Sequence, residues 1–216
     1  MPRTDSAPLG GRAKAHDGLA VGDLPRTLHG DAADVLARGM RDNPLHVALF
    51  GPDPERRVRR QARLMRAFFA HTPTNEPLGV RQGGRLVACT GVLLDGGCRP
   101  AARESLAMAP AIASLGPVCA ARMAAWLRVW REHDPDEPHA HLGPFAVDRD
   151  LQGRGIGTVL LREHCRRLDA TGTVGYLETD KSENVHFYER GGYRVIGEAP
   201  TLGVTAWFMR REPVQG

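Results

Sequence analysis

Two periods of hydrophobic spacing run through this chain, and the points where one replaces the other outline its elements. Residues 1–22, rich in Gly, Ala, Asp and Pro, carry neither period and read as a mobile leader ahead of one folded domain at 23–212. A first strand is expected near Asp23–His29. A helix follows from Asp31, placed to cap it, to Arg41, and Asn43-Pro44 stops it. Helical spacing returns from Pro54 to His71. Leu78–Arg81 and Arg85–Leu94 read as strands joined at Gln82-Gly83-Gly84, a hairpin signal. Between Asp95 and Glu137 the spacing is helical in two pieces, broken at Gly116-Pro117, with Met123, Trp126, Leu127 and Trp130 on a common face. An apolar strand at Leu142–Val147, a polar turn at Asp148–Leu151 and an amphipathic helix to Leu168 come next. A strand at Tyr176–Thr179, a helix at Val185–Arg190 and strands near Tyr193–Gly197 and Thr205–Arg211 close the order. A hairpin first and a βαβ unit later imply an α/β (α+β mixed) fold with a mixed sheet.

Composition narrows the class. The 216 residues are 42% hydrophobic and 25% charged, ordinary for a globular protein with a sizeable core. No apolar run approaches the ~18 residues that span a bilayer, and the first residues lack the apolar centre of a secretory signal. No membrane partner is expected. Cys89, Cys98, Cys119 and Cys165 are scattered without metal-ligand spacing, so they read as reduced thiols in a cytoplasmic protein, with no metal site.

The net charge of +4 comes almost wholly from arginine, since Lys14 and Lys181 are the only lysines. The basic run Glu55–Arg63 is interrupted at helical spacing by Val58, and Leu64, Met65, Phe68 and Phe69 continue that spacing. Its arginines therefore read as the wet face of an amphipathic helix. With no recognised module beside that charge, no nucleic acid is expected as a partner.

Chemistry concentrates after the Leu142–Val147 strand. Gln152-Gly153-Arg154-Gly155-Ile156-Gly157 leads straight into a helix, so the unpaired N–H groups of its first turn, to Thr158, converge at the positive end of the helix dipole. Glycines remove the Cβ atoms that would hold a bulky anion away. This is a phosphate or pyrophosphate cradle. A P-loop would need G-x-x-x-x-G-K-[ST], and a dinucleotide fingerprint would need G-x-G-x-x-G in an early βαβ unit. Neither is present.

Gln152-x-x-Gly155-x-Gly157 instead resembles the pyrophosphate loop of the GNAT-type N-acetyltransferase superfamily. About 30 residues on, Asn184, Tyr188 and Gly192-Tyr193 match that superfamily's next helix and its Gly-aromatic turn. The resemblance covers roughly Leu78 to Arg211. It implies a central, mostly antiparallel sheet flanked by helices, with the Ala101–Glu137 helices as an insert before the cofactor-binding strand. It also implies acetyl-CoA as co-substrate and an amine acceptor, small-molecule or peptide.

The arm of acetyl-CoA would lie beside the strand on the backbone of Phe145 and Val147, in a gap to which Gly143-Pro144 is suited as an edge kink or bulge. Arg154 or Arg149 would add charge at the rim, and Asn184 would cap its helix, contact the arm, or both. Tyr188 is the expected proton donor to the leaving thiolate. Glu178, opposite in direction to Leu177 and Thr179, is the preferred base, with His141 as the other candidate. The N–H of Phe145 or Ala146 would meet the oxyanion. A non-catalytic acyl-CoA-binding or sensing module would keep the cradle without needing Tyr188. The aromatics of the insert read as core packing, and Asp134–Glu137 as a solvated loop. No motif specifies the acceptor or an oligomeric state.

Overall fold

The computed structural model describes residues 18–94 and 101–214. Its first strand, β1 (Leu19–Asp23), lies earlier than expected and takes in Leu19–Gly22 of the segment assigned to the leader, while residues 1–17 lie outside the described residues. Beyond β1 the chain turns at once into a short 3-10 turn (Arg26–Leu28) and helix α1 (His29–Gly39), so the expected strand Asp23–His29 is not formed. Its one well-buried apolar residue, Leu24, packs under α1 instead.

Helix α2 (Pro44–Phe50) was not expected. Pro44 opens it, because a proline at the first helical position lacks only an N–H that would be unpaired anyway. Helix α3 (Pro54–His71) is capped by Asp53, whose carboxylate accepts from the N–H groups of Glu55 and Arg56. Strands β2 (Leu78–Gln82) and β3 (Arg85–Leu93) form the hairpin. The insert is α4 (Ala102–Ala113) and α5 (Pro117–His133), divided at Gly116 as expected; Asp95–Pro100, with Cys98, lie outside the described residues. Then come β4 (Ala140–Val147), α6 (Ile156–Thr171), β5 (Gly175–Thr179), α7 (Ser182–Glu189), β6 (Arg194–Thr201) and β7 (Val204–Arg211).

The sheet order is β1-β2-β3-β4-β5-β7-β6, antiparallel at every junction except β4–β5. One face packs Leu78, Val80, Val87, Leu142, Leu177 and Met209 against α6 and α7. The other packs Leu86, Cys89 and Ala146 against α1, and Tyr176 and Phe208 against α5. Helices α2, α3 and α5 share a third cluster through Leu49, Phe50, Leu64, Met123 and Trp126. Among the described residues no helix is long and apolar enough to cross a membrane.

The arginines of α3 are structural. Arg57 is buried and donates to the carbonyls of Arg41, Gly51 and Pro52 and to Asp42 (2.6–3.0 Å). Arg60 reaches the Phe50 carbonyl, Arg63 reaches Ser114, and Arg66 pairs with Asp34. The charge run is thus mostly spent fastening α3 to its neighbours.

Candidate functional site

The site begins at a defect in β4. Ala140 donates its N–H to Val174 on the β5 side, and Asp148, just past β4, donates to Val87 on the β3 side (both 2.8 Å). In an unbroken strand, residues eight apart point the same way. The phase reverses because Gly143 and Pro144 together oppose the single residue Gly91, a bulge in the β3–β4 ladder. Close backbone approach makes Gly91 necessary, since a Cβ there would lie 2.7 Å from the Gly143 oxygen. Past the bulge, Phe145 and Val147 present N–H and C=O toward β5, and Ala146 toward β3. Of the two expected oxyanion donors, only Phe145 therefore faces the right way; Ala146 is committed to β3, and its side chain is buried toward α1.

On that open side β4 has almost no neighbour. Ala140 pairs with Gly175 and His141 with Tyr176, and there the ladder ends. The two parallel strands then part, leaving a fork with backbone donors and acceptors of β4 along one side. Pro144 accordingly lies in a bulge and not at a sheet edge.

The cradle closes the wide end of the fork. Gly153 (φ 76°) and Gly155 (φ 80°) adopt left-handed backbone, which favours glycine, and a Cβ at Gly153 would meet only open space. Gly157 is helical, and its Cβ would crowd Val147 (3.3 Å) and Phe187 (3.5 Å), so its glycine lets α6 sit down on β4. Among the described residues, the N–H groups of Gly153 to Gly157 have no protein acceptor, whereas that of Thr158 bonds the Gly155 carbonyl (3.0 Å). Thr158 thus contributes no N–H to the cradle. Its side chain lines a cavity of about 370 Å³ between α6 and α7 that also holds Arg162, Phe187 and Arg190. Ile156 anchors the turn in the core.

The exposed Gln152 reaches back along the loop: its amide donates to the carbonyls of Gly39 (2.9 Å) and Val147 (3.2 Å), bracing the loop against α1 and β4. Of the two rim arginines, Arg149 is paired with Asp42 and Arg154 is exposed. Asp148 is buried beneath the loop, held by Arg38 (2.8 Å) and Arg85 (3.1 Å).

Catalytic candidates come from both faces of the sheet. Tyr188, on α7, is buried and packs edge-on to Phe145 (ring centroids 6.0 Å) and Tyr193 (6.1 Å). Burial above all, then the charges of Asp180 and Glu178, pushes its hydroxyl well above the usual tyrosine range, so it stays protonated. Tyr193 bonds His164 (2.8 Å), while the Tyr188 hydroxyl makes no hydrogen bond to a described residue. Asn184 lies in the third position of α7, not at its cap, which is Lys181; the capping role is therefore excluded.

On the opposite face, Glu178 and His141 are one unit: the two carboxylate oxygens of Glu178 include one 2.8 Å from His141 Nε2, with both side chains buried. The pair sits where β4 and β5 part. Trp130 borders His141 (ring centroids 6.0 Å) and stacks edge-on to Trp126 (5.0 Å), which contacts His46 of α2 (5.5 Å). Burial above all holds His46 below the usual histidine value. Leu127 departs from the expected common face and is 39% exposed. Asp134, expected in a solvated loop, is buried against His139 (3.3 Å).

Sequence reasoning missed Asp180. Its carboxylate accepts from the Leu45 N–H (2.6 Å) and the Asn43 side chain (3.4 Å), fastening α2 to the β5–α7 turn. No local pattern signals this contact, because its partners lie about 135 residues away.

The acetyltransferase (GNAT) family model matches residues 44–193. Among solved structures, the fold is similar to the histone acetyltransferase HPA2 and related acetyltransferase of Corynebacterium glutamicum (TM-score 0.65, 19% identity, covering 92% of this chain and 98% of that one). It is also similar to a Drosophila melanogaster polyamine N-acetyltransferase that forms N-acetylagmatine (TM-score 0.63, 15% identity, 90% and 99% covered). A Brucella melitensis GNAT family acetyltransferase in complex with acetyl-CoA is a third (TM-score 0.52, 15% identity, 93% and 94% covered).

Proposed function

The chain belongs to the acetyltransferase (GNAT) family, and from that premise we propose that it moves an acetyl group from acetyl-CoA directly to an amine, small-molecule or peptide. The observation that carries this reading is the fork. The β4 and β5 strands pair at only two rungs, Phe145 and Val147 turn their backbones into the opening, and five unpaired N–H groups stand at its wide end. A pyrophosphate suits those N–H groups, with Arg154 at the rim. A peptide-like arm suits the open side of β4, where it adds as a strand, with Asn184 at the start of α7 beside it.

The thioester then lies near the apex, between the two faces of the sheet. From the α5 face the Glu178–His141 pair takes the amine's proton, directly or through a water. As nitrogen bonds to the carbonyl carbon, the Phe145 N–H steadies the oxyanion. When the C–S bond breaks, Tyr188 supplies its proton from the α7 face. Base and acid on opposite faces suit a reaction in which the amine arrives on one side and the thiolate leaves on the other. No covalent enzyme intermediate is required, and the buried thiols of Cys89 and Cys165 are held protonated by burial. Among the described residues, Cys89, Cys119 and Cys165 are free and buried, which fits a reducing cytoplasm. A non-catalytic acyl-CoA sensor would require neither Tyr188 nor the pair.

Thiol release from acetyl-CoA, measured over a panel of polyamines, aminoglycosides, simple arylalkylamines and peptide N-termini, tests the proposal. Turnover with at least one amine, accompanied by the acetylated product, is expected. Tight acetyl-CoA binding without turnover on the whole panel would favour the sensor.

A further inference from the structure

His139 and His141 are two residues apart across the start of β4, so strand geometry sends both imidazoles to the same face. Asp134, at the end of α5, comes to meet them. One ligand atom from each of the three lies within 4.8 Å of the other two. We propose that Asp134, His139 and His141 bind a divalent transition-metal ion, and that the bound ion blocks the Glu178–His141 pair.

Three features carry the site. First, its dimensions are right: metal bonds of about 2.0–2.2 Å in a tetrahedral zinc site leave ligand atoms about 3.4 Å apart, and Asp134 Oδ1 already lies 3.3 Å from His139 Nε2. Second, each ring is oriented by a carboxylate or carbonyl, as metal-ligating histidines are. His139 Nδ1 lies 2.8 Å from the Glu137 carbonyl, and His141 Nε2 lies 2.8 Å from Glu178. Third, two imidazoles and one carboxylate form a nitrogen-rich set that suits zinc, nickel or copper and not the oxygen-seeking calcium or magnesium. The other two separations need to close by at most about an ångström and a half.

Binding requires nothing of the acetyl-transfer reading; blocking rests on it. In the pair, His141 is the member that accepts the amine's proton, with Glu178 2.8 Å from its Nε2. A metal ion that takes His141 as a ligand occupies the lone pair such a base needs. The ion would thus act as a reversible inhibitor held at the acceptor side of the fork, away from the cradle.

The test uses the full chain, stripped with a chelator and titrated with zinc chloride alone in a calorimeter. One equivalent should bind, and Asp134→Asn and His139→Gln should each weaken binding at least 10-fold, the scale on which zinc sites respond to altered ligation. Asp134→Asn alters a buried carboxylate beside His139 and leaves both members of the catalytic pair in place. In parallel, zinc should lower thiol release with the half-saturation seen in the titration, and chelator should restore it. Absence of a one-to-one site, or equal binding in both variants, overturns the metal site. Zinc bound as expected with turnover unchanged sustains the metal site, overturns the blocking, and removes His141 from the base. Unchanged zinc binding alongside no turnover on any amine leaves the metal site standing and counts against acetyl transfer instead.

Discussion

The two ends of the fork are built from different material. At the cradle, the proposed chemistry belongs to the main chain: five N–H groups of consecutive residues, Gly153 to Gly157, three of them glycines and Ile156 anchored in the core. At the apex, it belongs to side chains brought from separate elements: His141 from β4, Glu178 from β5, Tyr188 from α7 and Trp130 from α5. A main-chain site tolerates side-chain exchange and fails when the backbone is altered or the anion's space is taken. A side-chain site fails at single atoms while the fold survives. The same contrast separates the two neighbouring tyrosines, since Tyr193 spends its hydroxyl on His164 and Tyr188 does not.

The sharpest way to break the contrast is at Tyr188. Tyr188→Phe should lower kcat by roughly 10²–10⁴-fold, the span of general acid–base groups, with the KM for acetyl-CoA and the melting temperature nearly unchanged. Tyr193→Phe should do the reverse, losing about 1 kcal/mol of stability with its hydrogen bond while turnover per folded molecule holds. Because burial raises the Tyr188 hydroxyl above its ordinary value, wild-type turnover should not decline through pH 10. A basic limb below that pH would assign the acid elsewhere.

At the cradle, Gly155→Glu places a carboxylate where the proposed pyrophosphate site lies. A like-charge clash of several kcal/mol corresponds to a loss of affinity of about 100-fold or more, read by calorimetry. Because Gly155 is left-handed, a side chain there strains the turn, so affinity is read per folded molecule, with circular dichroism on the same preparation. Unchanged affinity would remove the cradle from the donor site.

Beneath both ends, His164 reports on the scaffold. Burial lowers its pKa to about 3 from 6.5, so below pH 6.5 the unfolded chain takes up a proton that the folded chain refuses. Stability present above pH 6.5 should therefore fall as pH drops toward 3, by about 3 kcal/mol at pH 4 from this group. His164→Gln should flatten that part of a denaturation series, and an equally steep loss in the variant would clear His164.

The smallest effect is expected at Gln152. Gln152→Ala removes two bracing bonds worth about 0.5–1.5 kcal/mol each, so the KM for acetyl-CoA should rise a few-fold with kcat unchanged. A loss as large as that of Gly155→Glu would mean that the side chain itself holds the donor.

Much of the cradle was legible in the chain because it is made of neighbours. Glycine spacing, a strand before and a helix after are local facts, and local facts survive without knowing the fold. The strand-helix order from Leu78 onward was legible for the same reason, as was the opposite facing of Glu178 from Leu177. The expected strand at Asp23–His29 misled because Leu24 is buried by α1 packing and not by a ladder. Helix α2 escaped because seven residues carry too little periodicity to announce themselves. Glu178 and His141 stood as rival bases, and only the parallel pairing of β4 with β5 made them one hydrogen-bonded unit. Which backbone groups of β4 face the fork was likewise decided by a bulge opposite Gly91, a contact between residues about 50 apart. The order of apolar, polar and glycine residues determined the elements and the anion turn, since these depend on steric and hydrogen-bonding preferences within a few residues. Tertiary structure alone decided the meeting of Asp134, His139, His141 and Glu178 and the tie of Asp180 to α2, because charge pairs and strand phase depend on distances the chain closes only when it folds.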